Sequence, residues 1–212
     1  MKVLVTGGGT RVGAAIVAEL SPDHDVMASY WSSPPDHTPA CQADLRTVEG
    51  CRALAQRARA WGVDALVNNA AAWDKMPLNE ITDQAWEDMQ ALNVRAPFVL
   101  ARELADRLEA VVNITDSILP LRGYTHYATS KAGLEMLTRQ LALDLAPGCR
   151  VNAVAPGTVM LPEGMDAAPL LRRIPLGRLG SGEAVARTVR FLLEADYITG
   201  ETVRVDGGRH LC

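Results

Sequence analysis

Cysteine is scarce in this 212-residue chain, and its four copies are scattered. Cys41, Cys51, Cys149 and Cys212 show no CxxC and no Cys/His spacing, so neither a metal site nor a disulfide framework is expected, and the thiols read as reduced. No apolar stretch approaches the roughly 20 residues that span a bilayer, and the opening Val-Leu-Val is too short for a signal-peptide core. The expectation is a cytoplasmic protein without a membrane partner. One-signed charge runs are missing too: the formal net charge of −4 comes from interspersed acids and bases, which argues against nucleic acid as a partner. There is no fixed-period repeat and no low-complexity tract. Aromatics reach only 5%, but 48% hydrophobic residues suffice for one core, so disordered and solenoid architectures are poor readings. A chain of this length suits a single domain, residues 1–212, able to bury roughly 70% of its unfolded surface.

What is present is alternation. Short β-like runs at Lys2 to Thr6, Val26 to Tyr30, Ala65 to Asn68, Ala110 to Ile114, Arg150 to Ala155 and Thr202 to Val205, with a weaker one near Cys41, are separated by segments of helical period. Val12, Ile16 and Leu20 form one stripe, Leu134, Leu137, Leu141 and Leu145 another, and Val185, Val189 and Leu192 a third. This predicts an α/β fold: a doubly wound, Rossmann-like parallel sheet with helices on both faces. One unit is irregular. Trp31 to Ala40 contains Pro34, Pro35 and Pro39, too much proline for a full helix, so the second crossover helix is expected to be shortened or absent and one sheet face thinly covered.

The loop after the first strand, TGGGTRVG from Thr6 to Gly13, precedes a helix, whose N-terminal N–H groups and dipole suit a pyrophosphate. Gly7 and Gly13 permit the tight turn and the close approach. The spacing is not GxGxxG, and Arg11 is an unexpected residue in such a loop. At the end of the second run, Ser29-Tyr30-Trp31-Ser32-Ser33 offers hydroxyls and no carboxylate before Asp36, which favours a 2′-phosphate and hence NADP(H) over NAD(H). Arg11 would add a cation to the phosphates; the competing reading is a solvated surface arginine.

Tyr127 and Lys131 are four apart at the start of a helix and share a face. A phenol near pKa 10 needs roughly 4 kcal/mol to become an acid–base catalyst at neutral pH. A lysine about 4 Å away supplies on the order of that at an effective dielectric near 20. Tyr127 would then give a proton to a carbonyl oxygen or imine nitrogen as hydride arrives.

Taken with these, further residues make the chain resemble the classical short-chain dehydrogenases/reductases over essentially its whole length. Thr6-Gly7 to Gly13 is similar to their TGxxxGxG loop, Asp44 to their adenine-contacting Asp, and Asn68-Asn69-Ala70 to their NNAG turn. Asn93 matches the catalytic-helix Asn, Tyr127 and Lys131 match YxxxK, and Pro156-Gly157 and YITGETVRVDGG match the closing signatures. The resemblance implies a nicotinamide cofactor held by Gly7, Arg11, Val12, Gly13, Ser32, Ser33, Asp44, Asn69, Ala70, Lys131, Pro156 and Gly157. It also implies catalysis by Tyr127, Lys131 and Asn93, and a homodimer or homotetramer formed through the helical segments near Asn93 to Leu108 and Tyr127 to Leu145.

Within that family TGxxxRxG, with Arg11 in place of the second glycine, resembles the pteridine and dihydromonapterin reductases. There Asp116 takes the place of the usual serine, Trp73 falls at a pterin-stacking aromatic, and DGGRHL is similar at the C-terminus. The interval from Asp116 to Tyr127 is two residues shorter than the family norm, which leaves Ser117 as a rival for the third catalytic position; Ala71 stands where a serine is usual. Asp116 alternatively caps a strand end, Trp73 alternatively packs under its loop, and Tyr124 and His126 read as pocket wall or surface. Substrate residues are then Trp73, Asp116, Tyr127 and Met160, with Met165 and the Leu-rich segment from Thr158 to Gly180 as a lid. The expected activity is hydride transfer from NADPH to a small C=O or C=N substrate, most plausibly a dihydropterin. A 3-oxoacyl or ketone reductase and a non-catalytic NADP(H)-binding sensor are the alternatives.

Overall fold

A computed structural model describes the whole chain except residues 37, 118–119, 160 and 162–165. Seven strands, β1 (Lys2–Val5), β2 (Asp25–Tyr30), β3 (Ala40–Gln42), β4 (Ala65–Asn68), β5 (Ala110–Ile114), β6 (Arg150–Pro156) and β7 (Thr202–Val205), form one sheet. Its order is β3-β2-β1-β4-β5-β6-β7 and every pairing is parallel, as a Rossmann-like fold requires. Every run read from the sequence, including the weak one at Cys41, is a strand. The helices are α1 (Arg11–Leu20), α2 (Val48–Trp61), α3 (Asp83–Gln90), α4 (Ala96–Leu104), α5 (Thr125–Asp144), the four-residue α6 (Ala168–Leu171) and α7 (Gly182–Glu194).

Alternate residues along each strand divide the core in two. Leu4, Met27, Leu66, Val111 and Val151 pack with buried residues of α2, α4 and α5 on one face. Val3, Val5, Val26, Ala65, Val67 and Val112 pack with α1 and α7 on the other. Between β2 and β3 the described residues form no helix. The predicted thin cover follows at this edge, where Cys41 points inward and is buried while its neighbours Ala40 and Gln42 are exposed. The three predicted helical stripes face the core: Ile16, Leu20, Leu134, Leu141, Val185, Val189 and Leu192 are buried, and Val12, Leu137 and Leu145 are half-buried against it.

The strand order reverses between β1 and β4, so the loops leaving these two strands lie side by side at the carboxyl edge of the sheet. Side chains lock them together. Thr6 Oγ1 accepts from the Asn69 and Ala70 amides, each at 3.0 Å, and Asn69 Nδ2 donates to the carbonyls of Thr6 (2.9 Å) and Gly7 (3.0 Å). The four cysteines are free, and burial pushes the thiols of Cys51 and Cys149 up to about 11, so both stay protonated at neutral pH. Among the described residues, no helix is long and apolar enough to cross a membrane.

Candidate active site

A groove of about 510 Å³ runs along the carboxyl edge of the sheet. It gathers most of the predicted nucleotide residues: Gly7, Arg11, Val12, Gly13, Ser32, Ser33, Asp44, Asn69 and Ala70. Its floor has no room for side chains, because a Cβ on Gly13 would lie 2.0 Å from the Gly7 carbonyl oxygen and one on Gly9 only 1.8 Å from that of Ser33. The helix that opens onto the groove is electrostatically bare. Thr47, Thr82 and Ser181 cap α2, α3 and α7 with side-chain oxygens, and each of those helices carries an acid in its first turn. Thr10 gives α1 no side-chain cap, and its first turn has no acid. The N–H groups and dipole end of α1 therefore suit an anion.

Arg11 explains its own oddity in part. Its φ is +52°, so this arginine adopts the left-handed backbone that glycine ordinarily supplies. For a residue with a Cβ that conformation costs about 1–2 kcal/mol. The exposed side chain lines the groove.

The predicted catalytic residues form a second cluster next to the groove. The Asn69 to Ala72 loop joins the two: Asn93 Oδ1 accepts from the Ala72 amide at 2.8 Å and its Nδ2 donates to the Ala72 carbonyl at 3.0 Å. Asn93 also donates to Ser130 Oγ of α5 at 2.9 Å. It occupies a π-helical turn, Ala91–Arg95, between α3 and α4, where the wider coil turns its side chain inward to full burial.

Tyr127 and Lys131 share the buried face of α5, as their spacing predicted. The Tyr127 hydroxyl donates to Asp116 Oδ2 at 2.8 Å, so the shortened interval between them does not keep Asp116 from the phenol. Ser117, the rival, is held through its backbone on the β6 side, where its amide donates to the Pro156 carbonyl at 3.0 Å.

The expected acidification of Tyr127 is not found. Burial, and then the Asp116 charge, push the phenol well above its ordinary value. Lys131 Nζ lies 5.9 Å from the phenol ring centre and donates to the Ile114 carbonyl at 2.8 Å. Burial lowers its ammonium to about 8, against the opposing pull of Asp116. A four-residue spacing specifies a shared face but not the distance from ammonium to phenolic oxygen, nor the carboxylate arriving from β5.

Trp73 is 60% exposed and its ring centre lies 5.6 Å from that of Tyr124, which meets Tyr127 edge-on at 6.2 Å. These three rings make a wall beside Asp116. His126, read as wall or surface, is instead fully buried on the α5 face that carries Ser130. Pro156, Gly157 and Lys131 do not line the groove, and Met160 and Met165 lie outside the described residues. Arg46 is a groove residue that the sequence reading did not single out, and Trp31 entered it as part of the Ser29 to Ser33 run. The signal was position: Trp31 directly follows β2, and Arg46 lies in the turn that leaves β3 at the same carboxyl edge.

An enoyl-(acyl carrier protein) reductase family model matches residues 9–210, and it belongs to the short-chain dehydrogenases/reductases. The chain is a short-chain dehydrogenase/reductase. Among its relatives is the dihydromonapterin reductase of Citrobacter koseri, 32% identical over 238 aligned positions covering 100% of this chain and 97% of that protein. Protein FixR of Bradyrhizobium diazoefficiens is 41% identical over 167 positions, 69% of this chain and 59% of its own length. Among solved structures, a blue fluorescent protein from a metagenomic library in complex with NADPH superposes with a TM-score of 0.91 at 32% identity, covering 98% of this chain and 97% of that one. As a member of this family, the chain is an NADP-dependent oxidoreductase.

Proposed function

We propose that this short-chain dehydrogenase/reductase reduces a dihydropterin-like heterocycle with NADPH. The observation that carries the substrate is the 2.8 Å contact between the Tyr127 hydroxyl and Asp116, beside the Trp73–Tyr124 wall. A carboxylate in place of a neutral hydroxyl matches a ring that presents N–H donors, and the aromatic wall matches a flat heterocycle, whose stacking adds roughly 0.5–1.5 kcal/mol beyond burial. The name of the Citrobacter koseri relative supports the same substrate, and the NADPH complex of the structural neighbour supports the cofactor.

The groove fits the dinucleotide by its side-chain-free floor at Gly9 and Gly13 and by the open α1 terminus. When bound there, a reduced nicotinamide supplies hydride. Gly7, Arg11, Val12 and Gly13 would hold the diphosphate, Ser32 and Ser33 the ribose end and Asp44 the adenine side, with Asn69 and Ala70, tied to Thr6, shaping the groove beside them. Pro156 and Gly157 support the nicotinamide end from β6. Tyr127 keeps its proton in the resting site because burial and Asp116 both disfavour phenolate. It passes that proton to the substrate atom next to the carbon reduced, and the Lys131 ammonium stabilises the phenolate left behind. Asn93 positions both clusters by clamping Ala72 to α5. The exposed Phe98 of α4 and Met136 and Leu143 of α5 suit a homodimer or homotetramer through these helices, in the cytoplasm.

The test is NADPH oxidation with dihydropterin beside a panel of ketones and 3-oxoacyl thioesters. Faster dihydropterin turnover is expected, with kcat reduced about 10²-fold or more in Tyr127→Phe. Preference for the ketones or thioesters would replace the pterin reading with the carbonyl one, and unchanged turnover in Tyr127→Phe would remove the proton donor.

A further inference from the structure

We propose that Arg46, presented by the turn between β3 and α2, is the residue that selects a 2′-phosphorylated adenine nucleotide, with the Trp31 indole as the platform that holds its guanidinium. This rests on reading the groove as the dinucleotide site. The opportunity lies at the outer end of the groove: the described residues between β2 and β3 form no helix, and Trp31 and the β3–α2 turn line the groove there. The described lining contains two cations, Arg11 and Arg46, and one anion, Asp44. Arg11 opens α1 and so belongs to the diphosphate end. Arg46 belongs to the ribose end, because its guanidinium carbon lies 5.3 Å from the ring centre of Trp31, the neighbour of Ser32 and Ser33.

Arg46 is held in place from several sides. Its Nε and Nη2 donate to the two carboxylate oxygens of Asp44, each at 3.0 Å, and its amide donates to Asp44 Oδ1 at 3.0 Å. Arg95, from the π-helical turn, donates to the Arg46 carbonyl at 2.6 Å. Trp31 is tied to the same edge by Gln42 Nε2, 2.9 Å from its carbonyl. The charge logic follows from these contacts. A bare Asp44 carboxylate in the groove would repel a 2′-phosphate, and Ser32 and Ser33 are neutral donors. Arg46 cancels that carboxylate with two of its five N–H groups, which leaves three donors on a groove-lining guanidinium for a phosphate.

The test is calorimetric titration of the full chain with NADPH, NADH, adenosine 2′,5′-bisphosphate and ADP, for the wild type, Arg46→Ala and Arg46→Lys. Arg46→Ala is expected to weaken NADPH and the bisphosphate about 10- to 100-fold while NADH and ADP change less than about threefold. Arg46→Lys keeps the charge without the fork and is expected to lie between, and it decides the matter if the alanine variant does not fold. Equal weakening of all four probes would make Arg46 a merely structural anchor of Asp44 and overturn the inference, as would unchanged NADPH binding. Wild-type protein that binds none of the four would instead overturn the nucleotide reading on which it stands.

Discussion

Arg11 and Lys131 both stand where their chemistry is disfavoured, one in backbone and the other in charge. Replacing Arg11 by glycine relieves a left-handed conformation, so Arg11→Gly is expected to raise unfolding free energy by about 1 kcal/mol in urea titration while weakening NADPH several-fold. A loss of stability would mean that the side chain contributes more to the fold than its backbone costs. For Lys131 the displaced ammonium, from 10.5 to about 8, has two consequences of opposite sign. Below about pH 8 the group is protonated in folded and unfolded chains alike, and the penalty of burying the charge is fully present. From about 8 to 10.5 the folded protein releases the proton while the unfolded chain keeps it, so this group's contribution to stability rises with pH. Activity moves the other way, since the phenolate left on Tyr127 loses its cation. The expected result is a kcat/KM that falls as pH rises through about 8; a flat profile from about pH 7 to 9.5 would take the Lys131 charge out of the mechanism.

At the scale of elements, the β2–β3 connection is the most consequential. Its described residues form no helix, and it packs on Gly9, whose α-carbon faces the Ser33 carbonyl so closely that a methyl would lie 1.8 Å from it. Backbone on both sides leaves nothing flexible to yield. Gly9→Ala is therefore expected to displace the Trp31 to Pro34 segment and to weaken NADPH more than tenfold, with a smaller loss of global stability because the segment is exposed. Titration beside thermal melting would check this, and wild-type affinity would show that the segment does not shape the nucleotide site. The uncapped start of α1 and the π-helical turn at Asn93 follow the same logic, since regular helix geometry gives way at the two places that face the groove and the Tyr127 cluster.

For the molecule as a whole, binding and stability are linked because the groove joins loops from β1, β2, β3 and β4 that exist only in the folded state. At a hundredfold excess over Kd, a ligand of the native state adds about 2.7 kcal/mol. For a chain of this size that corresponds to a Tm about 5–10 °C higher. NADPH is expected to produce this shift and NADH at equal concentration a smaller one, measured by scanning fluorimetry; equal shifts would deny the preference for the 2′-phosphate.

The sequence by itself determined what depends on local periodicity and short spacing. Seven strands, the stripes of α1, α5 and α7, the proline-broken crossover, and the shared face of Tyr127 and Lys131 were all legible, because alternation and the 3.6-residue turn act between near neighbours. The tertiary structure alone decided which groups meet across the fold. It joined Asp116 to Tyr127 rather than leaving the acid at a strand end, buried His126, and set Arg46 over Trp31 in the groove. It also reversed the expected shift of the phenol. Acidity depends on the burial and charge summed over every element that surrounds a group, and no spacing along one helix contains that sum.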